Sequence, residues 1–259
     1  MRIATWNVNS LKARLPRVEQ WLAADNAEVV LLQETKMAQD AFPHLAMQAL
    51  GYEAVHCGEG RWNGVAILSK VGLSDVTLGF QDGDEPDVEA RLISATCNGV
   101  RISSVYVPNG RALDNPHYEY KLRWFGRLKA HLAATCSPTD LVAVGGDFNV
   151  APEDKDVWDI AVFAGATHVS EPERAALADV RSWGLRDTFR DHHVEAGLYS
   201  FWDYRNGAFH KKEGMRIDYV LATDSLADKV TEVRIDREAR KGQQPSDHAP
   251  VITTFDLES

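Results

Sequence analysis

The sequence predicts an α/β protein in which sheet and helix pack in layers. Short apolar runs rich in β-branched residues recur along the chain, and several are apolar on successive residues, so both of their faces need covering. Between them lie segments whose apolar residues fall at helical spacing. In order, the run Ile3 to Val8 reads as a strand, and Leu15, Val18, Trp21 and Leu22 after Leu11 read as a helix, with Pro16 tolerated near its start. Val29 to Leu32, Val65 to Leu68, Leu92 to Thr96 and Val100 to Val107 follow as strands, then a helix over Tyr118 to Ala134 and a strand over Leu141 to Val144. A helix over Glu171 to Trp183 is supported by good helix formers from Glu173 to Arg181. Ile217 to Leu221 and Val251 to Phe255 complete the strands. No short-period repeat is present, which excludes a solenoid.

With 259 residues, 44% hydrophobic and 25% charged, the chain has material for a large core. It contains no long Gly/Ser or Pro-rich linker, so a single domain over residues 1–259 is expected. The opening MRIATWN lacks the pattern of an export signal, and no apolar stretch approaches a membrane span. A cytoplasmic monomer with no membrane partner is expected. Cys57, Cys97 and Cys136 are widely spaced and odd in number, which argues against a disulfide framework or a thiolate zinc site. A net charge of −10 repels phosphates on average, so a nucleic-acid role needs a local basic face or bound cations. Arg205 to Lys212 and Arg111 to Arg123 are the candidate basic segments; each taken alone also reads as a solvated loop.

Polar residues that are expensive to bury stand at the ends of the apolar runs. Asn7 follows Ile3-Ala4-Thr5-Trp6, Glu34 follows Val29 to Gln33, and Asp147 and Asn149 follow Leu141 to Gly146. Asp218 opens Ile217 to Leu221, and Ser246-Asp247-His248 precedes the last strand. If neighbouring strands bring these ends to one rim, Glu34, Asp147, Asp218 and Asp247 share a cleft and repel one another unless protons or a cation intervene. Carboxylate and amide oxygens, without clustered cysteine or paired histidine, suit a hard cation: magnesium, with manganese as a substitute. Singly, each has a plainer reading, as a solvated loop residue or as an Asx turn at Asp147-Phe148-Asn149 punctuated by Gly145-Gly146.

Six segments carry a resemblance: Thr5 to Leu11, Leu32 to Lys36, Tyr106 to Gly110, Gly146 to Pro152, Met215 to Tyr219 and Ser246 to Pro250. In order and spacing they resemble the motifs of the exonuclease III family of DNA repair nucleases, over essentially Met1 to Phe255. The resemblance implies a four-layered α/β sandwich, two mixed sheets face to face with helices outside. It also implies hydrolysis of DNA phosphodiesters at abasic sites or 3′ ends of double-stranded DNA. Glu34 would hold magnesium with Asn7 and Asp247 in or near its shell, and Asp147, Asn149 and His248 complete the candidate metal residues. As catalytic residues it implies Asp147 to deprotonate the attacking water, Asn149 to position it, His248 to bind a phosphate oxygen, Asp218 to hold the imidazole, and Tyr106 to reach a phosphate or departing oxygen. A rival assignment makes His248 the base and Asp147 a metal ligand. Phe201 and Trp202 resemble a wall that receives a base-free sugar, or are core residues of which only one faces a given side. Arg91 reads as a phosphate clamp or as one half of an ion pair. His168 stands where relatives that incise internal abasic sites carry a small residue, so trimming of 3′ ends is expected to outweigh internal incision. Two other readings remain at this stage: a phosphodiesterase acting on RNA ends, phospholipid or inositol phosphate, and a non-catalytic nucleic-acid-associated regulator.

Overall fold

Each apolar run expected as a strand forms one, and four shorter or more polar strands join them at positions the pattern does not mark. The computed structural model describes residues 1–257, so the last two residues of the expected 1–259 unit lie outside the described residues. Among the described residues there are two six-stranded sheets. The first runs β11 (Val230–Ile235), β12 (Val251–Phe255), β1 (Arg2–Asn7), β2 (Val29–Gln33), β4 (Val65–Ser69), β3 (Glu53–Cys57). The second runs β5 (Ser74–Leu78), β6 (Leu92–Cys97), β7 (Val100–Tyr106), β8 (Val142–Asp147), β10 (Asp218–Thr223), β9 (Leu185–Asp187). Both are mixed: β1–β2 and β7–β8 are parallel, the other pairs antiparallel.

The uninterrupted apolar runs are explained by where alternate residues go. Val29 and Leu31 of β2 enter a core between the sheets, with Ile3, Ile67, Ile102, Ala143 and Val220. Val30 and Leu32 face the opposite way, against Leu11, Val18 and Leu22 of α1 (Leu11–Asp25) and Met47 of α2 (His44–Ala49). On the far side, Val142, Val144, Tyr219 and Leu221 pack under Trp124, Phe125 and Leu128 of α3 (Pro116–Thr135) and Leu177 and Val180 of α4 (Glu171–Arg181). Helix, sheet, sheet and helix make four layers, as expected. Local chemistry sets the helix starts: Ser10 caps α1, Asn115 caps α3 with Pro116 in its first turn, and Ser170 and Glu173 form a capping box on α4. No helix among the described residues is long and apolar enough to cross a membrane.

Gly145 and Gly146 are strand residues, not turn punctuation. A Cβ on Gly146 would lie 1.9 Å from the Val105 carbonyl oxygen, and one on Gly145 would lie 2.6 Å from Leu31 Cδ1. Only glycine lets β8 run this close to β7 and to the facing sheet.

Candidate active site

Strand register brings the polar ends together. Parallel pairing sets Tyr106 beside Asp147, and antiparallel pairing sets Asp218 on the other side of Asp147. In the facing sheet Asn7 pairs with Gln33, and Glu34 is the next residue. One amide then joins the sheets: Asn7 Nδ2 donates to Glu34 Oε1 at 2.8 Å and to Asp147 Oδ2 at 2.9 Å, while its Oδ1 accepts the Asn9 N–H at 2.9 Å. Ligand atoms of Glu34, Asp147 and His248 lie within 4.8 Å of one another. Glu34 and Asn149 both have φ of 51°, left-handed backbone that residues bearing a Cβ seldom adopt.

Burial by itself would raise Glu34, but Lys36 at 2.8 Å, with Asn7 and His248, outweighs it and holds the carboxyl below its ordinary range. Burial also raises Asp147; Asp218 and Glu34 push it further, His248 and Asn7 pull it down, and it stands at about 7. For His248 burial lowers the imidazole, yet Asp218, Asp147 and Asp247 prevail and raise it to about 10. Its Nδ1 lies 2.9 Å from Asp218 Oδ2 and its Nε2 3.8 Å from Asp147 Oδ2. Asp218 is fixed in turn by the Ser200 hydroxyl, which donates to Oδ2 at 2.6 Å. The Trp6 indole N–H donates to the His248 carbonyl at 3.1 Å, and the Phe201 ring sits 4.9 Å from the imidazole.

Glu34, Asp147, His248 and Phe201 line a cleft of about 600 Å³ with Asp247, Asn109, Arg111, His168 and Arg205. Asp247 accepts from Asn9 Nδ2 at 3.1 Å. Asn149 Oδ1 accepts from Asn109 Nδ2 at 3.2 Å and lies 3.1 Å from His168 Nε2, while Asn149 Nδ2 donates to the Val107 carbonyl at 2.9 Å. His168 Nδ1 is 2.6 Å from the Thr167 hydroxyl, and its Nε2 lies 3.2 Å from Asn109 Nδ2. Burial, aided by the charge of Lys121, pushes His168 down to about 3, so the ring is neutral. The Oδ1 atoms of Asn7 and Asn149 each accept a hydrogen bond, and their Nδ2 groups donate.

Three further candidates have definite placements. Trp202 is buried on the side away from the cleft, packed with Tyr199, Ala249 and Phe209, because successive residues of an extended segment point opposite ways; Phe201 alone lines the cleft. Arg91 is buried against Glu89, donates to the Tyr106 carbonyl at 3.1 Å and lies over the Tyr106 ring, which is the ion-pair placement. Of the basic segment Arg111 to Arg123, Arg111 reaches the cleft, whereas Lys121 is buried in an ion pair with Glu173. Sequence reasoning missed the working partners Lys36, Asn109, Thr167 and Ser200. For Lys121 a signal existed: it falls at helical spacing with Tyr118, Phe125 and Leu128 on the buried stripe of α3.

The donor set fits a hard divalent ion. Glu34 and Asp147 offer carboxylate oxygens within 4.8 Å of each other, and Asp147 is raised by burial and then by its acidic neighbours Asp218 and Glu34, repulsion that a hard cation would relieve. A family profile described as the Endonuclease/Exonuclease/phosphatase family matches residues 4–248. Exodeoxyribonuclease III of Haemophilus influenzae is 29% identical over 270 residues, covering 98% of this chain and 100% of that protein. An AP endonuclease from Archaeoglobus fulgidus superposes with a TM-score of 0.96 at 36% identity, covering 99% of this chain and 100% of its own. The 3′ phosphatase NExo from Neisseria, solved with a product DNA hairpin, gives 0.95 at 39% identity over 99% and 100%. The chain therefore belongs to the endonuclease/exonuclease/phosphatase family, on the branch of exonuclease III and the abasic-site endonucleases, and is an enzyme of that nuclease class.

Proposed function

We propose that this enzyme hydrolyses phosphodiesters of duplex DNA in a magnesium-dependent reaction, as a 3′-to-5′ exonuclease, a 3′-end-cleaning activity and an abasic-site endonuclease, with 3′-end processing favoured. The observation that carries the reading is the convergence of Glu34, Asp147 and His248 within 4.8 Å at the floor of the cleft, with Asp218 behind the imidazole.

Glu34 would hold the ion, which would supply charge neutralisation at a phosphate that otherwise repels nucleophiles. His248, protonated at neutral pH, donates to a phosphate oxygen and stabilises the charge that grows there. With His248 donating to the phosphate, Asp147, whose Oδ2 lies 3.8 Å from the imidazole Nε2, would take the proton from the attacking water. Asp218 and Ser200 hold the His248 ring in its orientation. Asn149 retains an amide N–H beyond the one given to Val107, and that N–H positions the water or a phosphate oxygen. Burial and the nearby Glu34 keep the Tyr106 phenol protonated, well above its ordinary value, so it serves as a donor to a phosphate or departing oxygen. Phe201 provides an apolar wall. His168 narrows the cleft opposite, and the similar Neisseria protein described as a 3′ phosphatase is in line with a preference for 3′ ends.

The test uses a 3′-recessed duplex and an internal abasic duplex, with and without EDTA. Both activities should vanish on chelation and return with magnesium, and Asp147→Asn should lower kcat by about 10²- to 10⁴-fold, as expected for loss of a general base. Undiminished cleavage in EDTA, or by Asp147→Asn, overturns the reading.

A further inference from the structure

Beneath the wall of the cleft formed by Asn109, Asn149 and His168 lies an ion pair that takes no part in the chemistry above. The side chains of Lys121 and Glu173 are both 0% exposed and contact each other. The Lys121 ammonium also donates to the main-chain oxygens of Asn149 at 2.7 Å and Asn109 at 3.2 Å. Glu173 Oε1 accepts the main-chain N–H of His168 at 3.0 Å, and its Oε2 accepts the Ser170 N–H at 3.2 Å and hydroxyl at 2.6 Å. One pair of side chains, from α3 and α4, thus grips the backbone of three loops. The side chains of those same three residues meet at the Asn149 amide.

Two features set this apart from a simple stabilising contact. Buried ion pairs add little net stability, since desolvation consumes much of the attraction and apolar replacement is often neutral. Moreover α3 and α4 already pack through Trp124, Phe125, Leu128, Leu177 and Val180. The pair also acts on strained backbone: Asn149 has φ of 51° and His168 of 78°, conformations that persist only where surrounding contacts impose them. Gly110 closes over the lysine stem, where a Cβ would stand 3.2 Å from Lys121 Cδ.

We propose that Lys121 and Glu173 are positioning residues for catalysis: together they fix the backbone of Asn109, Asn149 and His168 and thereby aim the Asn149 amide at the reacting phosphate. The proposal rests on the nuclease reading of the cleft. It is tested with Glu173→Gln and with the charge-free pair Lys121→Met/Glu173→Leu, each made alone and with Asn149→Ala. Hydrogen exchange should quicken about tenfold or more in segments 107–110, 149–151 and 166–170 while β1, β2 and α1 keep their protection. On a 3′-recessed duplex kcat should fall about ten- to hundredfold, the scale of a small misplacement of a catalytic group, with KM unchanged within about twofold. Beside Asn149→Ala the same changes should cost almost nothing more, because the amide they aim is gone. Wild-type exchange and kcat in the charge-free pair, or an equal further loss beside Asn149→Ala, overturns the proposal. So does faster exchange throughout the molecule, or failure of the charge-free pair to fold together with unaltered kcat in Glu173→Gln. A wild-type enzyme inactive on every DNA substrate sinks the nuclease reading instead, and the exchange measurement then still decides whether the pair holds the loops.

Discussion

His168 combines two effects in one side chain. Its ring lines the cleft, and its Nε2 lies 3.1 Å from Asn149 Oδ1. Its backbone, at φ of 78°, suits glycine better than any residue with a Cβ. His168→Gly should therefore be tolerated by the fold while opening the wall. The ratio of internal abasic incision to 3′-end removal is expected to rise by about tenfold, within the range that one change of pocket shape gives. Timed gel assays on paired substrates measure that ratio, and an unchanged value would mean that bulk at this position does not select between them. Residues of this kind were half legible from the chain. The identity of His168 was visible, but not its hydrogen bonds, which come from Thr167 beside it and from Asn149 on a separate loop.

Strand β8 is the element on which the site depends most. It delivers Asp147, separates β7 from β10, and runs against the facing sheet through two glycines. Gly146→Ala would drive a methyl group into the Val105 carbonyl, a fixed main-chain atom. The expected cost is about 3 kcal/mol, the upper end for overpacking, and a fall in Tm of roughly 6–12 °C for a chain of this size. Thermal unfolding followed by circular dichroism tests this, and a Tm within a degree of wild type would refute the close-packing argument. The apolar runs of β1, β2, β4 and β6 to β8 could be read directly because both faces of these strands are covered. Strands β3, β5 and β11 could not: each carries exposed residues, and β5 is exposed at four of its five positions. β9, at three residues, is too short to show a period. Edge strands of this sort are held by their neighbours, so their own sequence carries little signal.

Across the whole molecule a net charge of −10 has to coexist with a polyanionic substrate. Two arginines, Arg111 and Arg205, line the cleft beside His248, and Arg205 is already paired with Asp203. Attraction to DNA should thus rest only modestly on counterion release. The slope of log K against log salt is expected to be shallow, near −2 to −3, since each neutralised phosphate contributes about −0.9. Fluorescence anisotropy with a recessed duplex over a salt series measures it, and a slope steeper than about −6 would require a basic surface outside the cleft. Charge balance gave this expectation from composition alone. The acids could be placed because apolar runs stop at Glu34 and Asp147 and one begins at Asp218, whereas the inward turn of Lys121 and the turn of Trp202 away from the cleft depend on packing between distant segments.

The central place of β1 has a consequence for the chain during its synthesis. β1 lies between β2 and β12, the last strand to be made, and the His248 carbonyl is held by Trp6 of the first. A nascent chain in which residues 248–255 are not yet made lacks both this neighbour of β1 and the imidazole, so it is expected to lack cutting activity.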